Sequence, residues 1–169
     1  MNIIKIADSL ECFAEKLGRC VSWFCPLIVL LMTAIVVLRY GFSFGSIAMQ
    51  EIVLYFHSAI FLLGAGYTLK HNEHVRVDVF YHRFSVVTKA WVSILGFFLL
   101  LLPFMICVFY LALPFVTDSW QILEGSSDAG GLQFVYIFKT LILGFCITLL
   151  AQGVAEVLRA TAQIMKGNR

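Results

Sequence analysis

The feature that most constrains this chain is the long apolar stretch from Met49 to Leu69, which contains no Lys or Arg. As a helix rising about 1.5 Å per residue it would be about 31 Å long, which matches a bilayer hydrocarbon core of about 30 Å. A core helix of a soluble protein does not need that length. The stretch therefore predicts a membrane-spanning helix, with Glu51 near the edge of the lipid and His57 within it.

The polar residues of this predicted span form stripes at about 100° per residue. One stripe carries Glu51, Tyr55 and Ser58, and a second stripe beside it carries Gln50 and His57. Polar side chains in a membrane are expected to face other helices, where their hydrogen bonds can be made. We therefore interpret them as helix-packing residues, together with Gln152 in a later span. The arc left to face acyl chains consists of Ile52, Val53, Phe56, Ile60, Leu63 and Tyr67.

Composition indicates one small integral membrane domain. The chain has 169 residues, 61% of them hydrophobic, and a mean hydropathy of +0.93. Charged residues make up 13%, against about 25% in an average soluble domain. The basic residues lie at predicted membrane boundaries, so the net charge of +2 does not indicate nucleic-acid binding. No CxxC pair occurs, and we interpret all five cysteines as free thiols used as small apolar residues. They are Cys12, Cys20, Cys25, Cys107 and Cys146.

The chain divides into an N-terminal helix, a membrane domain and a tail. Apolar residues recur at helical spacing within residues 1–20, which predicts an amphipathic helix lying in the membrane interface or on a partner. Residues 21–158 are predicted to form a four-helix membrane domain, and residues 159–169 a cytoplasmic tail. The predicted spans are residues 21–38, 49–69, 90–115 and 132–154. The predicted fold class is all-α integral membrane, with four transmembrane helices plus an N-terminal amphipathic interfacial helix.

Two prolines and an acidic loop mark the third span. Pro103 predicts a kink and Pro114 a stop, because proline cannot donate the backbone hydrogen bond that continues a helix. Residues 116–131 are then predicted to form a loop, which contains three acids and no Lys or Arg. The acids are Asp118, Glu124 and Asp128.

The distribution of positive charge predicts the orientation. Ten of the 12 Lys and Arg residues lie in the N-terminal segment, the connection between spans two and three, and the C-terminal tail. These segments share one side of the membrane, whereas Arg39 lies on the other side and Lys139 within span four. The positive-inside rule then places both termini in the cytoplasm and the acidic loop outside.

Three charged residues are predicted to lie at similar depth near the outer face: Arg39, Glu51 and Lys139. A lone charge in the hydrocarbon costs about 2.5–3.5 kcal/mol on insertion scales, and pairing reduces that cost. We expect a structural ion cluster that fixes helix packing. A proton or cation site, or contact with a partner subunit or lipid, are the alternatives.

The sequence favours neither a catalytic nor a metal site. Haem ligation by two histidines needs a second histidine at the depth of His57, and the predicted spans contain none. Zinc binding by His71, Glu73 and His74 is a generic possibility. No nucleophile–base pair, phosphate-binding loop or nucleotide fingerprint occurs. We therefore predict a protein that is not an enzyme.

Several short motifs follow one another in a characteristic order. They are Arg39-Tyr40, Gln50-Glu51, GAGYTL at Gly64–Leu69, NEHVRVD at Asn72–Asp78, EGSSDAGGL at Glu124–Leu132, Lys139 and Gln152-Gly153. This order resembles the small membrane (DctQ-like) subunit of tripartite ATP-independent periplasmic (TRAP) transporters, from the first span to Glu156. The most telling part is the predicted cytoplasmic turn motif of His74, Arg76 and Asp78. The GAG sequence also predicts close helix packing.

The resemblance implies a scaffold role in a bacterial inner membrane. Such subunits bind a large permease subunit that carries the substrate and sodium sites, and a periplasmic solute-binding protein delivers an organic anion to the pair. Sodium coupling would belong to the complex through the large subunit, and no cofactor is expected in this chain. The small subunit would brace the large one during its elevator motion. Candidate residues for docking the binding protein are Asp118, Trp120, Glu124 and Asp128.

A different class of function also fits four spans. A self-contained small proton-coupled exporter of the multidrug type could use Glu51 as its coupling site. The position of Glu51 close to the outer face, with cations nearby, argues against this alternative.

Overall fold

The computed structural model describes residues 2–71 and 84–167, and in these ranges every regular element is a helix. Four stretches are long and apolar enough to cross a membrane, which confirms the predicted fold class. The helices are α1 (Asn2–Ser22), α2 (Phe24–Gly41), α3 (Ile47–Lys70), α4 (Val86–Gly96), a π-helical turn (Phe97–Leu101), α5 (Leu102–Gln121) and α6 (Val135–Gly167).

Helix α1 packs on α3 and α6 through its smaller residues. Ala7, Ala14 and Val21 are buried, because small side chains let helix backbones approach closely. The larger Ile6 and Phe13 are exposed on the other side. The sequence left open whether this helix rests on lipid or on a partner. Its small-residue face rests on the chain's own bundle, and its bulky face is available to enter the membrane interface.

The bundle has two different ends. We call one the α1 end, where α1 meets the last turn of α3 and the last third of α6. Ion pairs tie it together, among them Lys70 to Glu15 at 2.7 Å and Arg159 to Asp8 at 2.9 Å. Arg159 also binds the Glu11 carboxylate. We call the other the loop end, which contains residues 42–46, the start of α3, the last turn of α5, residues 122–134 and the start of α6.

A π-helical turn lies just before Pro103, where the sequence predicted a kink. The turn ends at Leu101, and the N–H of Leu102 donates to the carbonyl of Phe97, five residues back. A proline ring clashes with the carbonyl four residues before it, and a wider turn relieves that conflict. The third span therefore continues through the proline.

The stop predicted at Pro114 is wrong, since α5 continues to Gln121. Prolines are tolerated inside membrane helices when nearby groups satisfy the local backbone. The Thr117 hydroxyl also donates to the Pro114 carbonyl at 3.0 Å, within the helix that continues beyond the proline. The connecting loop accordingly begins at Ile122, and Asp118 and Trp120 lie on the last turn of α5 instead of in the loop.

The core lies between α3, α5 and α6, and its buried members are Ala65, Met105, Cys146 and Leu149. Close approach of α3 to α6 depends on Gly66. A Cβ atom at this position would lie 2.9 Å from the carbonyl oxygen of Thr148 on α6. This contact confirms the close packing predicted from the GAG sequence.

Candidate functional site

Residues 122–134 form a compact loop that connects α5 to α6 at the loop end. Backbone hydrogen bonds close it at two levels: Val135 N–H donates to the Glu124 carbonyl at 3.1 Å, and Ser126 N–H donates to the Leu132 carbonyl at 2.8 Å. Gly130 turns the chain with a φ of 85°, which glycine adopts without strain. The predicted acidic loop is thus a folded unit with internal hydrogen bonds.

The Glu51 carboxylate holds this loop against α3. One oxygen accepts a hydrogen bond from the Ser126 hydroxyl, and the other accepts one from the backbone N–H of Leu132 at 2.5 Å. Gly131 makes room for this contact, since a Cβ atom there would lie 2.8 Å from the Glu51 carboxylate. The side chain of Ser46 caps α3 by accepting from the Met49 N–H at 3.4 Å, so the helix starts one turn before Glu51. We call Glu51, Ser126 and Leu132 the loop latch.

A second contact joins the loop to α6. The Lys139 ammonium donates to the Glu124 carboxylate and lies 3.9 Å from the centroid of the Phe115 ring. The Lys139 ammonium holds the pKa of the Glu124 carboxyl below its ordinary value of 4.5. The Trp120 indole N–H donates to the Thr140 hydroxyl at 2.9 Å, which ties the end of α5 to α6 as well.

The three residues of the predicted ion cluster form no ion pair with one another. Lys139 binds Glu124, and Glu51 binds the loop. Arg39 is exposed at the end of α2 and forms no ion pair with any residue in the ranges 2–71 and 84–167. Similar depth was the basis of the prediction, but depth does not define which side of a helix faces which neighbour.

Sequence reasoning missed two members of the loop latch. Ser126 contributes a hydroxyl, and Leu132 contributes a backbone N–H that no residue-type argument can detect. The run of small residues from Gly125 to Gly131 was the available signal, because it is typical of a tight turn. It indicates a folded loop without indicating which side chain the loop binds.

The predicted docking residues differ in how accessible they are. Asp118 and Asp128 are exposed, and Trp120 is 47% exposed. Glu124 is half-buried and bound to Lys139, so it contributes little to the outer surface of the loop.

The predicted helix-packing residues fall into two groups. Tyr55 and Ser58 are half-buried, and the Tyr55 ring stacks on Phe138 with centroids 4.8 Å apart. Gln152 on α6 is 1% exposed. Gln50 and His57, in contrast, are exposed on the surface of this chain.

The arc of α3 that was expected to face acyl chains packs within the chain instead. Its members are half-buried, because α1 and α2 cover that side of α3. Phe56 stacks on Phe24 of α2 with centroids 4.7 Å apart, and Tyr67 lies against Gly18 of α1. A sequence stripe shows which residues share a face but does not show which neighbour covers it.

In the part of the chain that the structure describes, no three His, Cys, Asp or Glu side chains are placed to hold a metal ion. All five cysteines are free thiols, with Cys146 buried in the core. The cytoplasmic turn motif of His74, Arg76 and Asp78 lies outside the described residues, as does Glu73 of the possible zinc set.

Comparison with known proteins identifies one family. The family model described as "Tripartite ATP-independent periplasmic transporters, DctQ component" matches residues 28–163. The match therefore includes most of α2, all of α3, α4 and α5, the loop latch and most of α6. No curated protein and no solved structure matches the chain.

Proposed function

This chain belongs to the DctQ family of tripartite ATP-independent periplasmic transporters, and from this premise we propose that it is the small permease subunit that braces the large one. The family is a non-enzymatic transport component, and the four apolar helices support a multi-pass membrane protein. In this proposal the large permease subunit carries the substrate and sodium sites in a bacterial inner membrane. A periplasmic solute-binding protein delivers the organic anion to the two subunits.

The observation that carries the bracing role is that two acids of the loop end, Glu51 and Glu124, are bound to neighbouring elements. Glu51 accepts two hydrogen bonds from the loop, and Glu124 is bound to Lys139. These contacts join α3, the loop and α6 into one unit. A carboxylate that carries a proton or cation through a transport cycle must release its partners in each cycle, so the loop latch supports a bracing role over the exporter alternative.

Reconstitution tests the proposal. Proteoliposomes would contain the large permease subunit of the same transporter with or without this chain, together with the solute-binding protein and an inward sodium gradient. We expect uptake of the organic anion only when both membrane subunits are present. Full uptake by the large subunit alone would contradict the bracing role. Drug-driven proton flux through this chain alone would favour the exporter instead.

We further propose that the loop end faces the periplasm and that its exposed acids contact the solute-binding protein. Opposite charges across an interface mainly raise the rate of encounter. Combining Asp118→Asn with Asp128→Asn should slow uptake at low binding-protein concentration and leave it unchanged at saturation. Combining Asp118→Glu with Asp128→Glu keeps both charges and is the matched control. Equal uptake by the double asparagine variant and wild type across a binding-protein titration would exclude these acids from docking.

A further inference from the structure

An exposed stripe of mixed polarity runs along α3. Gln50, Leu54, His57 and Phe61 are all exposed, with Leu54 at 50% and Phe61 at 73%. Their spacing of four, three and four residues is the spacing of a surface that packs on one other helix. We call these four residues the α3 stripe.

The polar residue in the centre of the α3 stripe, His57, lies at membrane depth. His57 is ten residues after Ile47, the first residue of α3, which places it about 15 Å along the helix axis. That is near the middle of a hydrocarbon core of about 30 Å. Polar side chains in spans are rare on lipid-facing surfaces and usually contact protein. Neither His57 nor Gln50 forms a side-chain hydrogen bond within the described residues, so their hydrogen-bonding groups remain available to another chain.

Other exposed surfaces of the bundle differ from the α3 stripe. The outer surface of α4 and α5 presents mainly large apolar side chains, which suit acyl chains, together with the amphipathic Trp91 and Tyr110. Examples of the apolar side chains are Leu95, Leu99, Leu100, Ile106 and Leu111. On α2 the exposed Thr33 hydroxyl is satisfied within its own helix, since it donates to the Val29 carbonyl at 2.8 Å. With that hydrogen bond formed, the Thr33 hydroxyl needs no further hydrogen-bond partner when its helix faces lipid.

We propose that the α3 stripe is the contact surface for one transmembrane helix of the large permease subunit. This inference rests on the proposed function, which requires the two subunits to meet within the membrane. Gln50 and His57 are about 10.5 Å apart along α3, so the partner helix should present two hydrogen-bonding side chains that are also seven residues apart. Between them it should offer small or apolar residues that accommodate Leu54 and Phe61.

The α3 stripe adjoins the loop latch, and this position favours a helix of the large permease subunit as the partner that covers the stripe. Gln50 precedes Glu51 directly, so the helix turn that begins the α3 stripe is also the turn held by Ser126 and Leu132. A force on the α3 stripe is thereby transmitted to the loop and α6. That is the connection needed by a subunit that braces a moving neighbour.

The test is co-purification with a tagged large permease subunit of the same transporter. Leu54→Trp adds bulk in the centre of the α3 stripe and should reduce the retained small subunit about tenfold, as expected for a central interface position. Leu111→Trp on the exposed surface of α5 is the matched control and should be retained like wild type. His57→Leu should weaken retention several-fold, and His57→Gln should restore it, because glutamine can still form the hydrogen bond. Size-exclusion profiles of each small subunit purified alone check that the variants fold.

Photo-crosslinking identifies which protein contacts the α3 stripe. Benzoylphenylalanine in place of Phe61 should crosslink to the large subunit, and the same group in place of Leu111 should not. Crosslinking to a second copy of this chain, or equal retention of Leu54→Trp and Leu111→Trp, would overturn the inference. Failure of the wild-type chain to co-purify with the large subunit would instead contradict the proposed function itself.

Discussion

The loop is held by two carboxylates that bind different kinds of partner. Glu51 accepts hydrogen bonds from the neutral hydroxyl of Ser126 and the backbone N–H of Leu132, whereas Glu124 binds the charged Lys139. The two attachments of the loop can therefore be tested by separate substitutions.

Replacing Glu51 tests the first attachment. Glu51→Gln keeps one acceptor oxygen and turns the other into a donor, so it cannot accept from both Ser126 and Leu132. We expect several-fold faster hydrogen exchange at the Leu132 amide. Ser126→Ala removes only the hydroxyl donor and should have a smaller effect at Leu132. An unchanged Leu132 exchange rate in Glu51→Gln would contradict the loop latch.

The second attachment should show its own pH dependence. The pKa of Glu124 is lower in the folded chain than its ordinary value of 4.5, so the unfolded chain binds the proton more tightly. The stabilisation from Lys139 is therefore fully present above about pH 4.5 and is lost as pH falls through the lowered pKa. Wild type should unfold at a higher temperature than Glu124→Gln at about pH 7, and this difference should shrink towards about pH 3.

Asp128→Asn, which changes an exposed carboxylate of the same loop, is the control for this measurement. A difference between wild type and Glu124→Gln that stays the same at both ends of the pH range would show that the charge of Glu124 is not the cause.

At the scale of the helices, packing depends on small residues at crossing points. Ala7 and Ala14 bring α1 onto the bundle, and Gly66 brings α3 against the backbone of α6. Membrane helices gain little from apolar burial against each other, because lipid tails are equally apolar. Close contact between helix backbones is the alternative source of stability.

Gly66→Ala tests this packing. The added Cβ would lie 2.9 Å from the Thr148 carbonyl oxygen, so the two backbones must move apart. We expect a destabilisation of about 1–3 kcal/mol, typical of overpacking, measured as the unfolding free energy in detergent. Gly96→Ala on α4 is the matched control, since no atom lies within 4 Å of its added Cβ. Equal stability of the two variants would mean that α3 and α6 are not in close contact.

At the scale of the whole molecule, charge is divided between two ends. The α1 end carries Lys70 and Arg159 with their acidic partners, and the loop end carries the exposed acids Asp118 and Asp128. Basic segments remain on the cytoplasmic side during membrane insertion. The orientation proposed above therefore follows from the charges that the fold gathers at the α1 end.

Cysteine labelling in intact cells tests this orientation. The four exposed cysteines would first be replaced by alanine, and Cys146 can remain because it is buried in the core. Asp128→Cys should then react with a membrane-impermeant maleimide, whereas Lys16→Cys should react only after the cells are opened. The reverse pattern would place α1 in the periplasm and remove the proposed docking of the binding protein at the loop end.

Much of the fold follows from the sequence alone. Span length, composition and polar spacing are local properties, and they predicted four membrane helices, an N-terminal amphipathic helix and the close packing at Gly66. The order of motifs led to the family that the comparison confirmed. Local rules failed at Pro114, where a proline that ends helices in water is tolerated inside a membrane span.

The partners of the charged and polar residues were decided only by the tertiary structure. The sequence placed Arg39, Glu51 and Lys139 at one depth, yet the folded loop provides Ser126 and Leu132 to Glu51 and Glu124 to Lys139. Periodicity determines the angle between side chains on one helix, because that angle depends only on the helix itself. The neighbour that each face meets depends on how all the helices and the loop pack together, and no single segment contains that information.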